Sequence, residues 1–430
     1  MNTINLHFQK EIKFLINMID VFNILGLSNL FLSSLTLYLI LKKFGTSNYV
    51  ALGWFGLFIY SIPVFINLTR KIYYTKYNVE YSINPPIESK LIYFVFWIGF
   101  LISILIYNKK NSDSFKLNKV NIQLDVFEKI CLFYIFLYFL TFTFPQFQFL
   151  LIGLIAKWLF LFLSIIFVLK KKYINFILLS IPLMIYSFSI PDRTLITIVI
   201  LGVFVILISQ LKVKITLKKL IFLITIFSTL LFLLLFNKLI YNIIFNNQIF
   251  DFNQFVIQIN NLQRSFEPSL IFAHSILALD IDNFDTFSYL KSILSNFYIF
   301  PGYFGISNNY YYENLISNIP FELNYGLGGS LFASSFLAFG YPGLALIGFL
   351  FGIVLIKLDY FSKINKSNLR ILSISVLSLV AVYIYRNSLD NFLSFIKQIV
   401  LLYIFIQIQV FAILIFIKKL SKHENFTHNK

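Results

Sequence analysis

The stretch Leu150-Leu-Ile-Gly-Leu-Ile-Ala-Lys-Trp-Leu-Phe-Leu-Phe-Leu-Ser-Ile-Ile-Phe-Val-Leu169, followed at once by Lys170-Lys-Lys172, decides how the whole chain is read. About 20 apolar residues in a row match the length of helix that crosses a bilayer. A basic triplet at its end is the mark of a cytoplasmic flank. The pattern recurs outward in both directions. Apolar runs lie near 16–41, 50–69, 90–108, 129–144, 148–169, 173–190, 194–210, 220–237, 338–356, 371–385 and 398–417. Over the 430 residues, 59% are apolar and 12% charged, with a mean hydropathy of +0.81. Soluble domains carry about 25% charged residues, so a water-soluble enzyme is excluded. The fold class expected is an all-α polytopic membrane protein of about 11 (10–12) transmembrane helices.

The 35 Lys+Arg outnumber the 18 Asp+Glu, but this excess does not signal nucleic acid. The basic residues gather in Lys109–Lys129, Lys170–Lys172, Lys212–Lys219, Lys357–Arg370 and Lys418–Lys430. With Lys42 and Lys43, these loops hold 22 of the 35 and alternate correctly if each is cytoplasmic. That alternation places the N-terminus outside, and the first apolar run reads as a retained helix because no small-residue cleavage site follows it. One cysteine, Cys131, excludes a disulfide framework and a multi-Cys metal site. The histidines, His7, His274, His423 and His428, are too scattered for a metal centre.

From Phe236 to about Gly328 runs the longest connection, net negative and outside the membrane by its flanks. It contains helix-like segments at Phe266–Leu279 and Phe287–Phe300, and a structured segment of this length is more often functional than a mere connection. The domain expectation is therefore a single integral membrane domain, 1–430, with an extracytoplasmic loop at about 238–328. An amphipathic or re-entrant segment follows at about 329–342.

Charges near an outer membrane surface are costly unless they are paired or useful. Three arginines share the outer face: Arg193 after Ser189-Ile-Pro-Asp192, Arg264 in Asn261-Leu-Gln-Arg-Ser-Phe-Glu-Pro268, and Arg386 in Tyr385-Arg-Asn-Ser-Leu-Asp390. A guanidinium offers phosphate a permanent bidentate fork, so three around one cavity suit a diphosphate. Interfacial anchoring, or pairing with Asp192 or Asp390, accounts for the same residues. A group-transfer enzyme also needs a base within reach of the attacking hydroxyl. Glu267, Glu313, Glu322 and His274 are the candidates in the loop. Glu267 and His274, seven apart, share a helix face. Equally, His274 fills a half-buried face and Glu267, before Pro268, starts a helix.

The densest glycine region is Tyr325-Gly-Leu-Gly-Gly-Ser330, with Gly340-Tyr-Pro-Gly343 after it. It lacks the Lys-Ser/Thr of a nucleotide P-loop. Gly326, Gly328 and Gly329, with Ser330, either bring backbone N–H groups to an anion or break the chain at membrane re-entry. Gly348 and Gly352 read as helix packing. Asn308-Asn-Tyr-Tyr-Tyr-Glu-Asn314, with Tyr311 at its centre, and the stretch from Asn318 through Glu322 and Asn324 to Tyr325 mix aromatics with amides. That suits either a sugar or an interfacial belt. Lys157, inside an apolar run, is a functional-site candidate by depth, or snorkels to a headgroup.

Gly326-Leu-Gly-Gly-Ser330, Ala333-Ser-Ser-Phe-Leu-Ala-Phe-Gly340 and Gly343, with Arg264-Ser-Phe-Glu-Pro268 and Tyr385-Arg-Asn387, resemble the recurring pieces of Wzy-type O-antigen polymerases. The resemblance covers roughly 185–415. Relatives commonly carry an acid in the amphipathic helix, where this chain has Ser334 and Ser335. The resemblance implies a metal-independent, cofactor-free glycosyltransferase of the type C class in the bacterial inner membrane. It would polymerise undecaprenyl-diphosphate-linked repeat units into O-antigen or capsule-type polysaccharide. Its partners would be those lipid-linked glycans, the lipid bilayer and a chain-length regulator. In that reading Arg193, Arg264 and Arg386 receive the diphosphate, Glu267 or His274 is the base, and Glu322 and Asn324 position sugar. An O-antigen ligase shares this architecture and leaving group. A lipid-linked oligosaccharide flippase or other transporter is the reading outside enzymes, although transporters favour internal repeats and mid-membrane charges.

Overall fold

The structure, a computed structural model, describes residues 24–45, 48–65, 71–73, 80–82, 86–107, 122–143, 150–179, 199, 267–281, 284–298, 310–311, 313–314, 329–363 and 369–427. The spans expected near 194–210 and 220–237, apart from Val199, and most of 173–190 lie outside these residues. So does most of the loop at about 238–328.

Helix dominates. Among the described residues, four helices are long and apolar enough to cross a membrane: α1 (Ile24–Phe44), α3 (Ile87–Ile106), the part Leu331–Ser362 of α8 (Leu331–Lys363), and the part Leu389–Lys419 of α10 (Leu389–Thr427). The other helices are α2 (Val50–Phe65), α4 (Ile122–Thr143), α5 (Leu150–Leu169), α6 (Glu267–Leu277), α7 (Thr286–Ser295) and α9 (Leu369–Val382). The departure from helix among the described residues is an antiparallel ribbon, β1 (Lys71–Tyr73) with β2 (Glu80–Ser82). It pairs Lys71 with Ser82, Ile72 with Tyr81 and Tyr73 with Glu80. Its Ile and Tyr residues favour a pleated strand.

The chain divides into two compact units, each assembled from three stretches of sequence. The first comprises Met1–Lys110, Val256–Ile356 and Ala381–Ser394. Its core is aromatic: Tyr93, Phe96, Trp97 and Phe100 of α3 are fully buried. Phe332 lies 4.2 Å from Tyr93 and Phe351 5.6 Å from Tyr385, centroid to centroid. Gly348 and Gly352 pack α8 on α3, as their spacing suggests: a Cβ at 348 would lie 2.4 Å from the Phe96 carbonyl oxygen, and one at 352 would lie 1.8 Å from Ser103 Oγ. Close approach of backbones through small residues is how helices associate where lipid replaces water.

At the C-terminal end of α1, Lys43 Nζ donates to the carbonyls of Ile104 and Leu105 at 2.7 Å each and of Tyr107 at 3.3 Å. A cation there satisfies orphan carbonyls and complements the helix dipole. The bond joins the Lys42–Lys43 end of α1 to the end of α3 that leads into Lys109, two loops that the charge pattern assigns to one side.

The segment expected at 329–342 is well bounded. Ser330 caps it, and Gly340 ends it with φ 63° and ψ −164°, two residues before Pro342. A positive φ followed by a proline breaks the helical ladder and kinks α8 there. Before the kink, Leu331 to Ser335 are all buried and Phe336, Leu337 and Phe339 half-buried.

The second unit comprises Asn111–Phe255, Lys357–Val380 and Phe395–Lys430. Here α4 starts at Ile122, earlier than the span expected from 129. The reason is ionic: Lys170 pairs with Asp125 and Glu128, and Lys172 reaches Glu128 at 2.9 Å. Charges that would end a lone span are matched from the far end of α5. Trp158 Nε1 donates to Gln398 Oε1 at 3.1 Å, and Gln409 Nε2 donates to Tyr134 OH at 2.7 Å. These tie α10 to α5 and α4. At Leu389–Thr427, α10 exceeds the expected 398–417 at both ends.

Candidate functional site

The described site residues converge in the first unit, where the ends of α6, α7, α8 and α10 meet. Helix α6 begins at Glu267-Pro268, matching the helix-like segment expected there. A proline is tolerated in a first turn because its missing N–H has no helical partner to lose. The helix packs against α2 and α3 and buries every residue from Ile271 to Ile276. His274 is therefore 0% exposed, and its Nδ1 lies 3.4 Å from the hydroxyl of Tyr311, itself fully buried. Burial raises the Tyr311 phenol well above its ordinary value. It stays protonated and able to donate to the imidazole.

Helix α7 is capped by Asp285, whose carboxylate accepts from the N–H groups of Phe287 at 2.9 Å and Ser288 at 3.2 Å. From its buried face three polar groups reach the first turn of α10. The Leu389 N–H donates to Tyr289 OH at 3.2 Å, Ser292 Oγ donates to Asp390 Oδ2 at 3.0 Å, and Asn296 Nδ2 donates to the Asp390 carbonyl at 2.9 Å. Asp390 is 0% exposed. Positions 289, 292 and 296 follow the three-and-four spacing of one helix face.

The glycine segment meets the arginine motif directly. Gly329 donates its N–H to the carbonyl of Arg386 at 2.9 Å. Ser330 Oγ accepts from the Ala333 N–H at 3.2 Å and so caps α8. The polar groups of this pair, read as an anion cradle, are engaged in joining and capping elements, so what they contribute is position. Arg386 closes the 3₁₀ turn Tyr383–Arg386, half-buried, with its guanidinium 5.9 Å from the centre of the Tyr383 ring. Tyr385, next to it, is anchored by its hydroxyl to the Gly53 carbonyl at 2.9 Å. One apolar cluster then joins the pieces: Tyr289, Tyr311 and Ala333 are buried together, with Leu389 packed against them.

Of the sequence candidates, the structure brings together His274, Tyr311, Gly329, Ser330 and Arg386. Glu267 opens the same α6. Lys157 lies in α5 of the second unit. Arg193, Arg264, Glu322, Asn324 and Gly328 lie outside the described residues. The residue that sequence reasoning passed over is Asp390, considered only as a mate for Arg386. The signal available was the spacing of Tyr289, Ser292 and Asn296, which places their polar groups on one face of α7. Among the described residues no group of His, Cys, Asp and Glu is arranged to hold a metal ion. No family model matches the chain, and neither a curated protein nor a solved structure does.

Proposed function

We propose that this membrane protein polymerises undecaprenyl-diphosphate-linked oligosaccharide repeat units at the outer face of a bacterial inner membrane. The product is a polysaccharide of the O-antigen or capsule type. The observation that carries the reading is the joint at Gly329 and Arg386. Arg386, read for diphosphate, and Gly329, read for an anion, come from distant stretches and meet there through a 2.9 Å backbone bond, with Tyr311, read for sugar, in the adjoining cluster.

The chemistry needs few groups. The hydroxyl oxygen of the acceptor sugar bonds to the anomeric carbon of the donor chain. The bond from that carbon to the diphosphate oxygen breaks, and undecaprenyl diphosphate leaves. Negative charge concentrates on the departing oxygen, where fixed cations in a low-dielectric setting stabilise it far better than water does. Arg386, with Arg193 and Arg264, supplies that charge through bidentate forks. The proton passes to a carboxylate, and we assign this to Glu267 at the start of α6. His274, two turns further on, is enclosed and engaged with Tyr311, so its part is to hold Tyr311 in place. Glu322 and Asn324 position the sugar.

The test is elongation by the pure full-length protein in liposomes supplied only with the lipid-linked repeat unit. A ladder of lengthening chains supports the reading. Movement of the unit across the bilayer without a ladder identifies a carrier. Transfer that occurs only when a lipid A-core acceptor is added identifies a ligase. Arg264→Lys, which keeps the charge and loses the fork, is expected to abolish most of the ladder while expressing normally.

A further inference from the structure

Helix α7 is built inside out. A helix in an aqueous loop turns its apolar side to the protein and its polar side to water. Here the enclosed side carries Tyr289, Ser292, Ser295 and Asn296. The outward side carries Phe287 at 66% exposure, Leu290 at 37%, Leu294 at 55% and Phe297 at 76%. At 100° per residue these four form one continuous stripe, and the exposed Lys291 borders it with its Nζ 4.5 Å from the centre of the Phe287 ring.

We propose that α7 is an interfacial helix whose outward stripe is sunk into the outer leaflet of the bilayer, with Lys291 directed at anionic phospholipid headgroups. Three features commit the stripe to lipid. Its polar face is bonded through Tyr289, Ser292 and Asn296 to residues 389 and 390, where a helix long and apolar enough to span begins. The helix is therefore tied to the first turn of that spanning helix. Phe and Leu gathered on one side with a lysine at the border are features of helices that lie in an interface, and a lysine stem along an aromatic ring is a snorkelling geometry. Anionic headgroups supply the charge complement to Lys291.

The assignment is independent of the transfer reaction and is tested without it. The full-length protein is reconstituted in liposomes of phosphatidylcholine and phosphatidylglycerol, in a Cys131→Ala background that removes the chain's single cysteine. Nitroxide labels are placed at Phe287→Cys, Leu294→Cys and, as a lipid-facing reference, Ile408→Cys on α10, which is 64% exposed. The expected result is a several-fold excess of collisions with oxygen over collisions with a water-soluble nickel chelate at 287 and 294, relative to nitroxide in buffer. The excess should be smaller than at 408, placing both labels at shallow depth. Free access of the chelate at 287 and 294 would overturn the proposal. Exclusion of both reagents would overturn it as well, because the stripe would then be covered by protein. Leu290→Cys gives a second reporter on the same stripe if Phe287→Cys elutes as aggregate.

Discussion

Gly329 donates its backbone N–H to the carbonyl oxygen of Arg386 at 2.9 Å, and no side chain fits between the two strands of chain. A Cβ at 329 would lie 2.3 Å from the Ser388 nitrogen and 2.9 Å from the Asn387 carbonyl carbon. These are backbone atoms with no rotamer to escape into. Gly329→Ala is expected to force the start of α8 off the turn before α10, at a cost of about 1–3 kcal/mol for overpacking. The readouts are thermal unfolding in detergent and chain elongation. An alanine variant that melts and elongates like the parent would show that the joint is looser than its geometry.

The bond at that joint runs to the Arg386 carbonyl, so the side chain can be changed without removing it. Arg386→Lys is expected to leave the unfolding temperature within error of the parent. Elongation should fall on the order of 10²-fold, as when one preorganised transition-state donor is removed. A variant that loses stability in parallel with activity would reassign the guanidinium to a structural contact.

Ser292 and Asp390 form the link between α7 and α10. Ser292→Ala leaves a fully buried carboxylate oxygen without this donor, which is expected to cost about 1–3 kcal/mol. A double-mutant cycle with Asp390→Ala isolates the pair, and its coupling energy should fall at roughly 0.5–3 kcal/mol for groups in direct contact. Additive effects of the two changes would mean that the bond does not persist in solution.

Local pattern carried the elements and some of the packing. The apolar periodicity behind Phe266–Leu279 and Phe287–Phe300 becomes α6 (Glu267–Leu277) and α7 (Thr286–Ser295). The spacing of Gly348 and Gly352 becomes the contact of α8 with α3. What local pattern could not carry is partnership at long range. Asp125 and Glu128 gave no sign of belonging to α4 because Lys170 and Lys172, which match them, are far along the chain. Asp390 suggested its neighbour Arg386, while its side chain bonds Ser292, 98 positions away. The reversed facing of α7 is invisible for the same reason: a period of 3.6 says that a helix has two faces, and only the surroundings say which one is enclosed.

The cap of α7 gives a pH signature. Hydrogen bonds from the Ser288 hydroxyl and then its N–H hold the Asp285 carboxyl below the usual aspartate range, with a further contribution from the Phe287 N–H. A depressed folded-state value means that the cap is fully present above the unfolded value, about 3.9, and is lost as pH falls through the folded one. Exchange of the Phe287 and Ser288 amides should therefore quicken, beyond its intrinsic pH trend, only below roughly pH 4. Asp285→Asn retains a capping oxygen that does not titrate, so it should remove this acid sensitivity while keeping the protection.

In the second unit, Lys170 is the hinge of the ionic cluster. Its side chain is 5% exposed and that of Glu128 is 9%, so their pairing is nearly desolvated, while Asp125 at 44% and Lys172 at 43% are open to solvent. Removing one partner of a buried pair costs about 3–5 kcal/mol when nothing replaces it. Lys172 remains 2.9 Å from Glu128, so Lys170→Met should cost less, about 1–3 kcal/mol by the usual range for large single substitutions. The bond from Lys170, more than any other contact, also holds the Asp125 carboxyl below its ordinary value. That contribution is present above the unfolded aspartate value and lost as pH falls through the lowered one. The parent should thus lose stability from this site on acidification, and Lys170→Met should show a shallower dependence below roughly pH 4. Unfolding in detergent across that window measures both. An unchanged pH slope in the variant would mean that Asp125 takes its charge partner from elsewhere.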